Sequence, residues 1–244
     1  MPDLSETIPQ LMLEARDLTL SYGQTRALNE VSMSVASGES VAVMGASGSG
    51  KSSLLHCLAG VIAPNSGSVH IDGTDLTGLS DRRRSRVRLE RIGVVFQFGD
   101  LVPELSLIEN VMLPLQLLGQ KTPAARGRAL ELLAELGIAD LADSRAGEVS
   151  GGQAQRAAVA RAMVHQPAIV LADEPTGSLD SFNAEEVMDA LIALTRTAET
   201  ALVVVTHDNR VASHLDRLIT LHDGAVLNSG LGAEAELAAG ATRP

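Results

Sequence analysis

Aromatic residues are nearly missing from this 244-residue chain: it has no Trp, one Tyr and three Phe. Any core must therefore be built from Val, Leu, Ile and Ala, and a hydrophobic content of 45% is enough for a substantial one. Cysteine is almost absent too. The lone Cys57 excludes an internal disulfide and fits a reducing compartment. Its neighbours Leu54, Leu55 and Leu58 mark it as a small core hydrophobe rather than a nucleophile. The chain also lacks an excess of positive charge. A net charge of −11 argues against nucleic acid as a main partner, because such binding rests on a basic footprint. The one basic run, "RRRSRVRLER" at 82–91, reads as a solvated helix face, with a contact to anionic headgroups or a protein partner as the alternative. No apolar run approaches the roughly 18 residues that span a bilayer. The opening "MPDLSETIPQ" has neither the basic start nor the apolar stretch of a secretory signal, so the chain itself is expected to stay in the cytosol.

What is present changes character along the chain. "VSMSV" at 31–35 alternates strictly, with Val31, Met33 and Val35 on one face, and "LEARDLTLSY" at 13–22 alternates more loosely. Both patterns predict antiparallel strands with one wet face. Three later segments are unbroken apolar runs instead: "VAVM" (41–44), "AIVLA" (168–172) and "ALVVV" (201–205). These predict strands buried on both faces of a parallel sheet covered by helices. Each runs straight into a polar turn, and ligands of parallel α/β sheets collect at that carboxyl edge.

Between the second and third groups lies helical sequence. Thr122 is placed to cap a helix, Pro123 to open it, Leu130, Leu133 and Leu136 to form its stripe, and Gly137 to end it. The predicted architecture is α/β: a mostly parallel sheet flanked by helices, an N-terminal antiparallel β subdomain, and an inserted helical subdomain at about 99–165. Core segments span 11–96 and 167–230. "LITLHDGAVL" (218–227) predicts a closing hairpin around Asp-Gly, and 231–244 a tail that is helical at first.

"GASGSGKS" matches the phosphate-binding loop G-x-x-x-x-G-K-[ST], between a predicted strand and an apolar helix. Gly45, Gly48 and Gly50 allow the backbone to curl so that the N–H groups of Ala46, Ser47, Ser49 and their neighbours point inward at phosphate oxygens. Lys51 is placed to bridge β- and γ-phosphates, the Ser52 hydroxyl to ligate Mg²⁺, and Ser53 to complete the cradle. "AIVLADEP" then supplies two carboxylates at a strand end: Asp173 to hold Mg²⁺ through water, and Glu174 to orient and deprotonate an attacking water. Pro175 and Gly177 turn the chain immediately after them.

The phosphate loop, "SGGQ" at 150–153, "LADEPTGSLD" at 171–180 and "VVVTHD" at 203–208 follow in one order. Together they resemble the ATPase subunits of ABC transporters, over essentially residues 11–230. By itself the Ser-Gly-Gly turn equally fits an ordinary capped helix start, opening near Gln153. The resemblance gives it a specific role: subunits pair head to tail, and Ser150, Gly151, Gly152 and Gln153 of one chain cover the γ-phosphate held by the other. It further implies that Tyr22 stacks on adenine, although a plain strand residue remains the alternative. Gln97 would sense Mg²⁺ and the attacking water, His207 would contact the γ-phosphate, and Ser178, Leu179 and Asp180 would cross the dimer interface. Val149 and Ala154 depart from the usual pattern without removing a catalytic group.

The stretch from 79 to 119 is similar to the branch containing macrolide-export, lipoprotein-releasing and cell-division ATPases. That similarity implies a partner permease with a large extracytoplasmic domain, and a peripheral position on the cytoplasmic side of the inner membrane. Phe98, Leu101, Val102, Leu105 and Leu107 form an expected floor for the permease, or else simply pack the insert. Two further function classes stay open on the residues. A soluble ABC ATPase acting on DNA or ribosomes usually carries a coiled-coil insertion or a second core, which this chain lacks. A non-hydrolysing regulator sits poorly with the presence of both Glu174 and His207.

Overall fold

The computed structural model describes residues 10–97 and 99–231, with 228–231 by backbone alone. Two sheets share one apolar layer. The first is antiparallel, in the order β2-β1-β4-β5, from β1 (Leu11–Tyr22), β2 (Thr25–Ala36), β4 (Ser66–Ile71) and the short β5 (Thr74–Asp75). The second has the order β10-β9-β3-β8-β7-β6. Its strands are β3 (Ser40–Met44), β6 (Ile92–Val95), β7 (Ile169–Asp173), β8 (Ala201–Val205), β9 (Arg217–His222) and β10 (Ala225–Leu231). All its pairings are parallel except the closing hairpin of β9 and β10.

The two hydropathy patterns explain this division. In β2, Val31, Met33 and Val35 are buried while Ser32 is exposed, as one-sided packing requires. In β8 all five residues are buried, because Leu202 and Val204 face a helical layer while Val203 and Val205 face the first sheet. The layer between the sheets also holds α1 (Lys51–Leu58), with Leu54, Leu55, Cys57 and Leu58 buried. Cys57 therefore fills core, and burial pushes its thiol up to about 11.

The opposite face carries α3 (Leu107–Leu117), α4 (Thr122–Glu135), α5 (Gly151–Met163), α6 (Ser181–Thr197) and the short α7 (Asn209–Ser213). The expected cap of α4 is off by one residue: Lys121 is the N-cap and Thr122 the first helical residue. Proline lacks a donor, and donors are unpaired throughout the first turn, so Pro123 does not fix the helix register. Of the expected stripe, Leu133 and Leu136 are buried and Leu130 partly so, and Ala125, Ala129 and Leu132 widen the buried face. Gly137 does end the helix, at φ +68°. The basic run forms α2 (Asp81–Arg91), which buries no residue, in keeping with a solvated face. Phe98 and the tail beyond 231 lie outside the described residues. Among the described residues, no helix is long and apolar enough to cross a membrane.

Candidate nucleotide site

The carboxyl edge of the parallel sheet concentrates the polar turns. From β3 the chain passes through Gly45–Gly50 into α1; from β7 it reaches Asp173 and Glu174; from β8 it reaches Thr206 and His207. Because β8 lies between β3 and β7, these turns face one another across adjacent strands. They line a cleft of about 620 Å³. Its walls include Gly45, Ala46, Ser47, Gly48, Gly50, Lys51, Ser52 and Ser53 together with Asp173, Glu174 and His207. Tyr22, half exposed, closes one side from the end of β1.

The loop can only be this shape with glycine at its end. Gly50 sits at φ +102°, and a Cβ there would lie 2.3 Å from the Ala27 carbonyl oxygen. Lys51 reaches back across the loop, its ammonium donating to the carbonyls of Gly45 (2.7 Å) and Ala46 (2.9 Å). The Ser49 N–H, expected to point inward, instead donates to the Ala46 carbonyl at 3.1 Å. A cationic group held over a glycine-rich loop at the start of a helix suits phosphate.

Asp173 is held up from the usual carboxylate range, first by burial and then by the adjacent Glu174 charge. His56, a hydrogen bond from Ser52 and Lys51 pull the other way. Glu174 occupies left-handed backbone at φ +46°, stabilised by its N–H donating to the Val205 carbonyl at 2.8 Å. That conformation is uncommon for a non-glycine residue and turns the carboxylate toward His207. His207 Nδ1 lies 2.7 Å from Glu174 Oε1, and this contact is the main cause that raises the His207 pKa above its ordinary value.

Other expected site residues stand elsewhere. Ser49 is buried behind the loop, its hydroxyl without a partner. Gln97, just past β6, does not line the cleft; its carbonyl accepts the Ser178 hydroxyl at 2.8 Å, and its side-chain amide packs on Gly177. Ser150, Gly151, Gly152 and Gln153 do not line it either. Helix α5 begins at Gly151 rather than near Gln153. Ser150 is its N-cap, and the Ser150 and Gln153 side chains each bond the other's backbone N–H at 3.3 and 2.9 Å. Besides Val205 at the end of β8, the cleft has lining residues that were not foreseen at the start of β2: Thr25, Arg26 and Ala27. The signal was the tight Gly23-Gln24 turn, which pairs Thr25 with Tyr22 and so carries the start of β2 to the same edge.

Of the expected docking floor, Leu107 is fully buried in α3 and cannot meet a partner. Leu101, Val102 and Leu105 are partly exposed.

Residues 28–177 match the family described as ABC transporter. The lipoprotein-releasing system ATP-binding protein LolD of Xanthomonas campestris pv. campestris (strain 8004) is 46% identical over 217 residues, covering 87% of this chain and 91% of that protein. The LolD protein of Legionella pneumophila (strain Paris) is 40% identical, covering 88% and 97%. Among solved structures, the dimeric post-hydrolysis state of the ATP-binding cassette MJ0796 bound to ADP and Pi superposes with a TM-score of 0.83 at 38% identity, covering 90% and 98%. The structure of cbiO1 from Clostridium perfringens, part of the ABC transporter complex cbiONQ, gives 0.84 at 27% identity, covering 93% and 91%. A phosphate cradle facing a carboxylate–histidine pair, on a fold shared with these proteins, has one reading: the chain belongs to the ABC transporter family, as an ATP-binding subunit that hydrolyses ATP.

Proposed function

We propose that two copies of this chain close head to tail around two Mg-ATP, and that closure drives a membrane permease in the release of lipid-modified proteins. The observation that carries the proposal is the position of the Ser150–Gly152 turn. It is a capped helix start with Ser150 and Gly151 exposed, and it takes no part in the walls of its own chain's cleft. A helix N-terminus attracts anions, so a turn of this kind suits a phosphate held by a second copy. The dimeric structure of the MJ0796 cassette supports the pairing of two copies.

The cleft residues suit Mg²⁺. The Ser52 hydroxyl and Asp173 carboxylate are hard oxygen donors on facing walls of the same cleft. Among the described residues no cluster of three His, Cys, Asp or Glu could hold a metal, so the ion would depend on nucleotide phosphates and water for its other ligands. Mg²⁺ would neutralise charge developing on the transferred phosphoryl group. Glu174 is the group to deprotonate water, and His207 holds its carboxylate in place. Tyr22 offers a face for adenine.

A groove of about 400 Å³ runs between α2, the edge strand β6 and the helical layer, beside the Gln97 turn. We assign it, with Leu101 and Leu105, to a permease element bearing a large extracytoplasmic domain. The chain would then sit peripherally on the cytoplasmic face of the inner membrane. The names of the LolD relatives support lipoprotein release as the work done.

The decisive experiment uses Glu174→Gln, which should keep ATP binding and stop hydrolysis. Light scattering should then report a monomer without nucleotide and a dimer with Mg-ATP, and Ser150→Arg should abolish the shift. A chain that binds ATP but stays monomeric, even with its permease supplied, would rule the arrangement out. Reconstitution with a lipoprotein-releasing permease should raise the ATPase rate of the wild-type chain.

A further inference from the structure

The Ser-Gly-Gly turn packs closely against its own chain. A Cβ added at Gly152 would lie 2.5 Å from Asn183 Oδ1, 2.9 Å from its Cγ and 3.2 Å from its Cβ. Ordinary side chains do not approach so closely, so α5 and α6 touch here because residue 152 has no side chain. Nor is Asn183 free to swing aside. Its Nδ2 donates to Asp180 Oδ2 at 2.7 Å and its backbone N–H to Asp180 Oδ1 at 3.0 Å, which caps α6. A neighbouring Cβ, at Gly151, would stand 3.4 Å from Leu179 Cδ2. One turn further along both helices, Arg156 pairs with Glu186 at 2.9 Å, fixing the register of α5 against α6. The segment continues back to Gln97, whose carbonyl takes the Ser178 hydroxyl.

We propose that Asn183 is a positioning residue for ATP hydrolysis. It keys the lid turn Ser150–Gly152 to residues 178–183 of the same chain, so that lid and interface segment move as one body. The inference rests on the dimeric reading above, since a lid is useful only against a partner's nucleotide. It assigns Gly152 a second requirement, independent of the nucleotide: space for Asn183. Chains in which the lid drifts relative to 178–183 would present Ser150 and Asp180 to the partner out of register.

The test is a double-mutant cycle of Gly152→Ala, Asn183→Ala and both together, in wild-type and Glu174→Gln backgrounds. Gly152→Ala forces Asn183 off Asp180 or α5 off α6. It should weaken ATP-driven dimerisation of the Glu174→Gln chain by roughly tenfold or more, as overpacking of a rigid contact does. In the hydrolysing chain it should lower kcat while calorimetric ATP affinity at the phosphate loop is unchanged. Asn183→Ala alone should cost only a few-fold, through the lost Asp180 bond. The double variant should return to within about threefold of Asn183→Ala, because the two closest atoms, Oδ1 and Cγ, have gone and only the 3.2 Å approach to Cβ remains. If the double variant is as impaired as Gly152→Ala while the parent still dimerises, Gly152 serves the nucleotide alone and the proposal falls. If the Glu174→Gln parent never dimerises, the dimeric reading fails instead. The contact within one chain is then judged from the thermal midpoint of the ATP-free monomer: it should drop in Gly152→Ala and recover in the double variant, and no recovery overturns the proposal.

Discussion

His207 and Glu174 meet at 2.7 Å across the cleft, with the histidine side chain 74% exposed and the carboxylate 19% exposed. One partner is wet and the other largely dry. Contact with Glu174 raises the His207 pKa above that of a free imidazole, about 6.5. An NMR titration should therefore place the His207 midpoint above the ordinary value, and Glu174→Gln should bring it back down. The sign for stability follows from the same shift. A raised folded pKa gives a contribution that is fully present below the unfolded pKa and lost as pH rises through the folded one. Exposure keeps that contribution small. The catalytic effect should be much larger: His207→Ala should lower hydrolysis on the order of a hundredfold with ATP binding retained. An unchanged rate would remove His207 from the machinery.

Two loop glycines with similar spelling should respond differently. Gly50, at φ +102°, would push a Cβ to 2.3 Å from the Ala27 backbone, which cannot yield cheaply. Gly48, at φ +81°, has nothing within 4 Å. Gly48→Ala therefore carries only backbone strain, of about 1 kcal/mol. Gly50→Ala should cost several times as much in chemical denaturation and abolish measurable ATP binding. Equal effects would mean that the loop adapts in a way this geometry does not allow.

How far the sequence carried can be seen residue by residue. Strands β2, β3, β7 and β8 were legible because their side chains follow a simple rule of one or two buried faces. The cradle was legible because its chemistry is local: Gly45 to Ser53 lie in one contiguous stretch. Thr25 to Ala27 were not foreseen because their place depends on a tight turn and on which edge of the first sheet meets the second. Leu107 kept two readings, docking or packing, because helix and loop share similar apolar letters there; its burial favours packing. Only the capping box of Ser106 and Glu109, which starts α3, turns Leu107 inward. The Gly152–Asn183 contact joins two helices about thirty residues apart in sequence, and no periodicity announces it.

Asn110 is the least expected core residue. It is fully buried in α3, and its side chain serves the loop before that helix. Its Oδ1 accepts the Val102 N–H at 2.7 Å, and its Nδ2 donates to the carbonyls of Val102 and Ser106, both at 3.0 Å. Asn110→Leu leaves the Val102 backbone groups without their buried partners, a loss of about 2–3 kcal/mol. Denaturant unfolding should show it as a lower midpoint. The loop beside Gln97 should also exchange its amide hydrogens faster, as local opening requires. If stability holds and only exchange rises, water has replaced the side chain.

The last contrast separates the two roles once open to the apolar residues after Gln97. Leu105 is partly exposed on the loop, whereas Leu107, two residues on, is fully buried among the helices. Leu105→Asp places a carboxylate in water and should leave unfolding free energy and ATP affinity nearly unchanged while weakening capture by the permease. Leu107→Asp buries a carboxylate without a partner and should destabilise the fold by about 4 kcal/mol. Co-purification with a lipoprotein-releasing permease, read beside chemical denaturation, distinguishes them. Loss of capture in Leu105→Asp at wild-type stability supports docking at this loop. Wild-type capture in that variant moves the docking surface away from Leu105, toward the groove between α2 and β6, where Arg88 and Asp100 line the walls and can be tested in the same way.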